Sequence, residues 1–141
     1  MEQRINFITL GVENLEMMKK FYHEVLGWAY LKDDQGIVFF QLNGLILGLF
    51  PTADLAEEIG VENNRNGFRG FSLSINFNSK SEVDEVYSDL LSKGAKGIKA
   101  PNDIFWGGYN AYIADPENNY WELAFNPFLV MDEKGNSVSH P

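Results

Sequence analysis

Cysteine is absent from the chain, which excludes disulfide bonds, thiolate metal sites and cysteine nucleophiles. Long apolar runs are absent as well, since none approaches the roughly 20 residues of a membrane-spanning helix. The N-terminus shows no signal-peptide pattern. We therefore expect a cytoplasmic protein that has no membrane partner.

Basic residues are few. Eleven lysines and arginines stand against 20 aspartates and glutamates, which gives a formal net charge of −9. A surface that binds nucleic acid needs an excess of positive charge to neutralise phosphates. We therefore expect no nucleic-acid partner. The acidic balance favours cationic small molecules, although solubility alone also accounts for an acidic surface.

Histidine is scarce, with two residues in the chain. His23 is expected to be exposed on the first predicted helix, and His140 lies in a tail that is predicted to be loose. Divalent metals need three or four well-placed donors, and these two histidines do not complete an iron site of two histidines and one carboxylate. No P-loop, dinucleotide-binding fingerprint or zinc motif is present. We expect no metal and no cofactor; an oxygen-only metal site built from Glu122, Gln41 or Asn110 is the alternative.

The two halves of the chain carry the same order of predicted elements. Apolar residues alternate along the predicted strands and recur at helical spacing between them. The first half predicts a strand at 4–12, a helix capped by Asn14 and ended by Gly27, and strands at 28–32, 37–42 and 45–50, closed by Pro51. Asn43-Gly44 is a two-residue hairpin signal between the last two of these strands.

The second half repeats this order. It predicts a strand at 71–77, a helix that starts with the capping-box pair Ser79 and Glu82 and stops at Lys93-Gly94, and strands at 95–99, 109–114 and 120–125, closed by Pro127. Such symmetry indicates an internal duplication. We expect one α+β domain over residues 1–130, made of a module at 4–51, a linker at 52–69 that begins with a short helix, and a module at 70–127. Residues 131–141 are expected to form a flexible tail.

The stretch 114–127 is the most informative part of the sequence. Asp115-Pro116 favours a type I turn, after which Asn118 or Asn119 is expected to have a positive φ. Alternation along the next strand puts two sets of side chains on opposite faces: Trp121, Leu123 and Phe125 on one, and Tyr120, Glu122 and Ala124 on the other. A carboxylate among apolar side chains requires a metal, a cation, a hydrogen-bond donor or a proton. A solvated Glu122 on a wet face is the plainer alternative.

The duplication also places four side chains at corresponding central positions. Each sheet has one face covered by its helix, so the other faces can curve around one shared cavity. Aligning the modules by their helices and closing prolines makes Phe7 correspond to Ser72, and Ile46 to Glu122. The centre of the cavity would then carry two apolar groups, one hydroxyl and one carboxylate.

A loop of aromatic residues is a second candidate for the cavity wall. Trp106 and Tyr109 flank Gly107-Gly108, and glycines let a backbone turn tightly beside a pocket. Aromatic side chains on loops favour binding. The alternative is that Phe105 and Trp106 plug the end of the barrel.

The sequence does not determine which way the polar side chains of two predicted strands point. Tyr112 and Asn110 share one face of a strand, and they line the cavity only if that strand is in phase with Glu122. Ser72 and Ser74 form a polar strand face that sees either a wet cavity or solvent. No histidine is placed to activate either serine as a nucleophile.

The order of these segments resembles the vicinal oxygen chelate superfamily, which includes glyoxalase I, bleomycin-resistance proteins and extradiol dioxygenases. The resemblance rests on the paired strand–helix–three-strand units and on three segments: Leu10-Gly11-Val12 to Phe21-Tyr22, Leu26-Gly27-Trp28, and Asp115-Pro116 to Glu122. It spans roughly residues 4–128. Phe105-Trp106-Gly107-Gly108-Tyr109 further resembles a bacterial branch described only as glyoxalase-like. The resemblance implies an α+β fold of two βαβββ modules whose curved mixed sheets enclose one cavity, and it implies a homodimer.

Function follows from the resemblance only in part. In the metal-dependent members, His, Gln or Glu occupies the four central positions. Here only Glu122 matches, whereas Phe7, Ile46 and Ser72 depart from the pattern. Our leading hypothesis is therefore a metal-independent small-molecule-binding protein of this superfamily, which could sequester a compound or confer resistance to it.

The expected ligand is aromatic or cationic, stacked on Trp106, Tyr109 or Phe7 and anchored by Glu122. Two alternatives remain open: a metal-dependent lyase or dioxygenase of the glyoxalase type, and a metal-free isomerase or lyase in which Glu122 is the general base. The sequence leaves open whether the chain is an enzyme. It also leaves open whether the modules pair within one chain or swap between two.

Overall fold

A computed structural model describes residues 1–34 and 36–140. The chain divides into a first unit, Met1–Arg69, and a second unit that begins at Gly70, and each contains one four-stranded sheet. None of the helices in the described ranges is long and apolar enough to cross a membrane.

The first unit has the order strand, helix, three strands, helix. Its elements are β1 (Phe7–Val12), α1 (Leu15–Lys20), which continues as a π-helical segment (Phe21–Val25), β2 (Tyr30–Asp34), β3 (Ile37–Gln41), β4 (Ile46–Pro51) and α2 (Thr52–Ile59). The sheet order is β1-β4-β3-β2, with β1 parallel to β4 and the other pairs antiparallel.

The predicted first helix forms where its signals indicate. The side chain of Asn14 accepts the Met17 N–H at 3.0 Å, and Gly27 ends the helical segment with a φ of 76°. Met18 and Tyr22 are fully buried, and the Tyr22 ring lies 5.7 Å from that of Phe40. The apolar stripe of the helix therefore packs on the sheet as expected. Its π-helical continuation was not predicted, because apolar spacing alone does not distinguish one helical turn from a slightly wider one.

The linker that follows α2 contacts the rest of the first unit through the side chain of Arg65. Arg65 Nη1 donates to the Gly11 carbonyl at 2.6 Å and to the Thr52 hydroxyl. The same nitrogen lies 3.7 Å from the Glu13 carboxylate. Residues 60–69 contain no helix or strand, so this contact ties them to the start of α2.

The second unit repeats the topology of the first. Its elements are β5 (Leu73–Phe77), α3 (Lys80–Ser92), β6 (Lys96–Asp103), β7 (Tyr109–Ala114) and β8 (Tyr120–Phe125). The sheet order is β5-β8-β7-β6, with β5 parallel to β8. The predicted α+β class with two βαβββ modules is confirmed.

Helix α3 covers one face of the second sheet. Ser79 accepts the Glu82 N–H at 3.2 Å, and Glu82 accepts the Asn78 N–H at 2.8 Å, so the capping box closes one residue earlier than its usual form. The sheet residues on the face toward this helix are buried: Ala111, Ile113, Trp121 and Leu123. The opposite face carries Glu122, which alternation predicts.

Strand boundaries differ from the predictions where side-chain periodicity is weak. β7 and β8 have the predicted bounds, whereas β1 and β5 begin later than 4 and 71. β6 was expected at 95–99 but continues through Pro101 to Asp103. A proline is tolerated there because β6 is an edge strand, where its missing N–H costs no ladder hydrogen bond. Gln35, in the predicted turn 33–36, lies outside the described residues.

The tail, which was expected to be flexible, has local secondary structure. It contains two short antiparallel strands, β9 (Val130–Met131) and β10 (Ser137–Ser139). Asp132 starts the connecting turn, and its carboxylate accepts the backbone N–H groups of Lys134 and Asn136 at 2.9 Å each. The Asn136 side chain also donates to this carboxylate and is the main cause that lowers the pKa of Asp132; the two backbone bonds lower it further. Local side-chain bonding of this kind specifies a turn without help from a hydrophobic core.

The turn between β7 and β8 provides a test of backbone strain. Among the described residues, Asn118 is the non-glycine residue with a positive φ, 62°, which confirms the prediction for Asn118. Asn118→Gly should leave the free energy of unfolding unchanged or slightly higher, whereas Asn118→Val should lower it by about 1 kcal/mol or more. Chemical denaturation measures both. Glu117→Val is the control at a negative φ, and an equal loss in Asn118→Val and Glu117→Val would contradict the strain argument.

Candidate functional site

Glu122 lies on the face of the second sheet that α3 does not cover. Its neighbours along β8, Trp121 and Leu123, are buried on the helix side, so alternation sends the carboxylate the other way. Glu122 itself is half-buried. The strand thus holds a charged group on a partly enclosed surface, where its partners decide what it can do.

Asn110 is the first of these partners. Its Nδ2 donates to Glu122 Oε1 at 2.7 Å, and the residue is 5% exposed. Asn102 Nδ2 donates to the Asn110 carbonyl at 3.0 Å and approaches Asn110 Oδ1 at 3.4 Å. Because the amide oxygen of Asn110 faces Asn102, its nitrogen is left for the carboxylate. The orientation of Asn110 is therefore set before any ligand arrives.

Tyr112 is the second partner. It stands directly opposite Glu122 in the β7–β8 register, which settles the strand phase that the sequence left open. Burial raises the pKa of Tyr112, and the charge and the hydrogen bond of Glu122 raise it further. The phenol therefore stays protonated at neutral pH and donates to the carboxylate. A carboxylate has about four acceptor sites, so Glu122 keeps capacity for donors of a ligand.

The parallel strand β5 brings serine to the same place, although not the serine that was expected. Glu122 pairs with Ser74, while Ile46 pairs with Phe7 in the first unit. If Ile46 corresponds to Glu122, the counterpart of Phe7 is therefore Ser74. The correspondences of Phe7 with Ser72 and of Ile46 with Glu122 therefore do not hold together in this register, and Ser72 precedes β5. Ser72 and Ser74 share a strand phase, so alternation could not separate them.

A pocket of about 270 Å³ opens above Glu122. It is lined by polar groups of the sheet, by apolar groups of two loops and by the C-terminal tail: Ser74, Asn76 and Glu122; Ile104, Trp106 and Leu129; Ser137 and His140. Asn76 Nδ2 donates to Ser74 Oγ at 3.3 Å, which keeps part of the polar floor internally bonded. The pocket thus combines one carboxylate with an aromatic wall.

Trp106 belongs to a tight loop that aims it over its own backbone. The Ile104 N–H donates to Gly108 O at 2.8 Å, and Gly107 has a φ of 101°. The indole lies against Gly108 so closely that a Cβ on that residue would overlap the ring. Trp106 is 41% exposed and its ring centroid lies 6.3 Å from that of Phe128. The indole is therefore a pocket wall with one open side.

Phe105 and Tyr109 do not behave like Trp106. Phe105 is 99% exposed, so its ring packs little against the second unit. Tyr109 touches the pocket rim, but its hydroxyl donates to Asp84 of α3 at 2.7 Å and Lys80 Nζ lies 5.5 Å from its ring centroid. The Asp84 hydrogen bond raises the pKa of Tyr109. Its ring is held on the helix side of the sheet, which makes it a poor stacking surface.

Phe7 and Ile46 lie in the first unit, paired in register across β1 and β4. Phe7 is 52% exposed, and its ring centroid lies 6.1 Å from that of Phe39. That these residues share a cavity with Glu122 stays a prediction. His23 is exposed, with Nδ1 at 2.8 Å from the Trp28 carbonyl, which is consistent with its predicted location on the helix surface.

Sequence reasoning missed the contribution of the tail. Ser137 and His140 line the pocket, although the tail was expected to be flexible and His140 was set aside for that reason. A usable signal was present in the sequence. Asp132 and Asn136 have the same spacing as Asp115 and Asn119, and both pairs close a hairpin.

The donors at this site do not fit a transition metal. Among the side chains that the structure describes, no three of the types His, Cys, Asp and Glu come together in a metal-binding group. The central pair of the second sheet offers one hydroxyl and one carboxylate, from Ser74 and Glu122, and Glu122 already accepts from Asn110. In the first sheet the pair Phe7 and Ile46 is hydrocarbon. Tetrahedral or octahedral sites need at least three good donors.

The contact between Trp106 and Gly108 can be tested directly. Gly108→Ala should turn the indole away from the backbone, because the new methyl group occupies the volume of the ring. Since the indole is partly exposed, the loss of stability should be about 1 kcal/mol or less. The Trp106 indole N–H resonance in a ¹H–¹⁵N spectrum should shift. Gly48→Ala, whose Cβ would meet its nearest neighbour at an ordinary 3.4 Å, is the control; an unshifted indole in Gly108→Ala would refute the packing.

Comparisons with known proteins agree with the fold. The family model of the Glyoxalase/Bleomycin resistance protein/Dioxygenase superfamily matches residues 4–123. A crystal structure of a glyoxalase-related enzyme from Fulvimarina pelagi has a TM-score of 0.89 and 31% identity, covering 99% of this chain and 100% of that one. The metallothiol transferase FosB of Shouchella clausii is 26% identical over 120 residues, which cover 84% of this chain and 77% of that protein. A lactoylglutathione lyase from Agrobacterium tumefaciens shares the fold, with a TM-score of 0.68, 24% identity, and coverage of 89% of this chain and 95% of that one. The chain belongs to the glyoxalase/bleomycin resistance/dioxygenase superfamily.

Proposed function

We propose that this chain is a metal-independent small-molecule-binding protein whose ligand is an aromatic cation held in the pocket of the second unit. The observation that carries the proposal is the carboxylate of Glu122, oriented by Asn110 and Tyr112 on the floor of a pocket that Trp106 lines. The carboxylate pairs with the positive group of the ligand. The indole packs against its ring.

Charge supports a cationic rather than an anionic ligand. The chain carries a net charge of −9, and Glu122 is the acid that lines this pocket among the described residues. A half-buried carboxylate interacts more strongly with a cation than an exposed one does, because the surrounding dielectric is lower. Trp106 adds a cation–π or stacking surface. An anionic ligand would be repelled by the same carboxylate.

Metal independence rests on the donor set. The hydrocarbon pair Phe7 and Ile46 supplies no ligand atoms, and Glu122 keeps Asn110 and Tyr112 as its partners. The names of two similar proteins, a metallothiol transferase and a lactoylglutathione lyase, describe activities of those proteins. A metal-dependent lyase or dioxygenase activity would require donors that this site does not combine.

A second candidate is catalysis without metal, in an isomerase or lyase that uses Glu122 as general base. The observation that favours it is geometric, since the carboxylate is held rigidly at a pocket and retains open acceptor sites. Turnover that disappears in Glu122→Gln would separate this candidate from simple binding. Sequestration of a small molecule is the physiological role that we propose for the binding protein, and the family resemblance suggests that it acts as a homodimer.

Metal content is the first test. Protein without an affinity tag, dialysed without chelator, should hold far less than one equivalent of zinc, nickel, iron or manganese per chain, because no described group of side chains offers three donors. Elemental analysis by mass spectrometry measures this. Near one equivalent per chain, removable by chelator with a fall in melting temperature, would overturn metal independence.

The second test uses benzamidinium, an aromatic cation, and benzamide, its uncharged counterpart of similar shape. Wild-type protein should prefer benzamidinium, and Glu122→Gln should weaken benzamidinium binding by about 1–3 kcal/mol while leaving benzamide nearly unchanged. Isothermal titration calorimetry or NMR titration measures both affinities. The melting temperature should stay close to that of the wild type.

The control for net charge is Glu85→Gln, an exposed position on α3. It removes the same charge without touching the pocket, so its benzamidinium affinity should equal that of the wild type. If Glu122→Gln and Glu85→Gln behave alike, Glu122 does not bind the cation. If Glu122→Leu also stabilises the fold without changing any affinity, the carboxylate is a structural relic.

A further inference from the structure

The C-terminal hairpin is built by a second copy of the turn that joins β7 and β8. In the first copy, Asp115 Oδ1 accepts the N–H groups of Glu117 and Asn119 at 3.0 and 2.9 Å, and Oδ2 accepts Asn119 Nδ2 at 2.6 Å. In the second, Asp132 accepts the corresponding N–H groups of Lys134 and Asn136 and the Asn136 amide, each at 2.9 Å. The two turns therefore have the same design.

The fourth position of each turn completes the match. Asn118 has a φ of 62° and Gly135 a φ of 79°, so each turn places a left-handed residue just before its last residue, Asn119 or Asn136. Each turn is closed by the same backbone bond, from the N–H of its aspartate to the carbonyl of that asparagine, at 3.0 Å. A turn specified this fully fixes the direction in which the chain returns.

The returning strand comes back to the pocket. Ser137 and His140 line the space above Glu122, and Leu129 lines it from the start of the hairpin. Asn126, at the end of β8, lies with Nδ2 at 3.1 Å from His140 Nε2. Asn126 Oδ1 accepts the Phe128 N–H at 2.9 Å, so its amide nitrogen is the group that faces the imidazole. The amide donates and the imidazole nitrogen accepts.

Little apolar burial holds this hairpin in place. Its strands have two and three residues, and the side chains of Val130, Ser137, Val138 and Ser139 are exposed. A two-stranded hairpin of this length is marginal in water. The turn at Asp132 and the contact of His140 with Asn126 therefore carry a large part of its positioning. The two contacts lie at opposite ends of the segment.

We propose that the C-terminal hairpin, Val130–Ser139 with His140, is the specificity-determining wall of the Glu122 pocket and limits the length of the aromatic cation that binds there. This inference rests on the proposed function. The pocket of about 270 Å³ lies at the small end of ligand sites, which usually span roughly 300–1,000 Å³. We expect this space to hold a single aromatic ring with one cationic group, and we expect a second ring in line with the first to reach the hairpin.

The experiment compares benzamidinium with biphenyl-4-carboxamidinium, which carries the same cationic group on two rings. Wild-type protein should bind benzamidinium at least about tenfold more tightly than the biaryl. Asp132→Ala removes the acceptor of the turn, and His140→Ala removes the contact with Asn126. In both variants the preference for benzamidinium should fall by about threefold or more, through tighter binding of the biaryl.

Glu133→Ala is the matched control. Glu133 occupies the same turn and is exposed, and it should leave the preference as in the wild type. The melting temperature of each variant shows whether only the hairpin is loosened or the whole fold is damaged. The two cases differ because the hairpin lies outside the four-stranded sheet of the second unit. Two independent variants guard against misfolding of one of them.

The outcomes separate the two proposals. If Glu122→Gln weakens benzamidinium binding but Asp132→Ala and His140→Ala keep the wild-type preference, the wall is refuted and the binding function stands. If wild-type protein shows no preference for one ring over two, the wall is also refuted. If wild-type protein does not bind benzamidinium, or if Glu122→Gln has no effect on it, the proposed function and the wall fall together.

Discussion

The pairing of β7 with β8 is the interaction on which the site depends. It sets Tyr112 opposite Glu122 and Asn110 opposite Ala124, one pair along the same face. Because side chains alternate with a period of two, a slip of one residue would carry Glu122 to the side of α3. The carboxylate would then lie on the face where Trp121 is now buried, away from Asn110 and Tyr112. The Asp115 turn prevents such a slip, since its side-chain bonds fix the loop length between the strands.

The two modules share a topology and differ in the chemistry of their central pairs. Phe7 pairs with Ile46 in one sheet, and Ser74 pairs with Glu122 in the other, at equivalent positions of the parallel strand pair. The backbone therefore offers the same pairing twice, but of these two central pairs only Ser74 and Glu122 carry polar side-chain atoms. This is why membership of the superfamily leaves the activity open, whereas the identity of four side chains narrows it.

Sequence reasoning predicted what periodicity and local chemistry determine. It gave the modules, the caps at Asn14 and Ser79, the bounds of β7 and β8, and the face of Glu122. It could not choose between Ser72 and Ser74, because alternation defines a face and not a partner. It also missed β9 and β10, whose strands are too short to show a period. There the information lay in the turn, where an aspartate and an asparagine four residues apart replace hydrophobic pattern as the signal.

The position of His140 has a practical consequence for handling the protein. His140 lines the pocket together with Ser137 and Glu122. A polyhistidine tag fused close to His140 would bring imidazoles near the Glu122 carboxylate. Nickel or zinc retained from purification would then be coordinated by the tag. Crystals or assays of such a fusion would show a metal centre that is formed by the tag and not by the protein's own site.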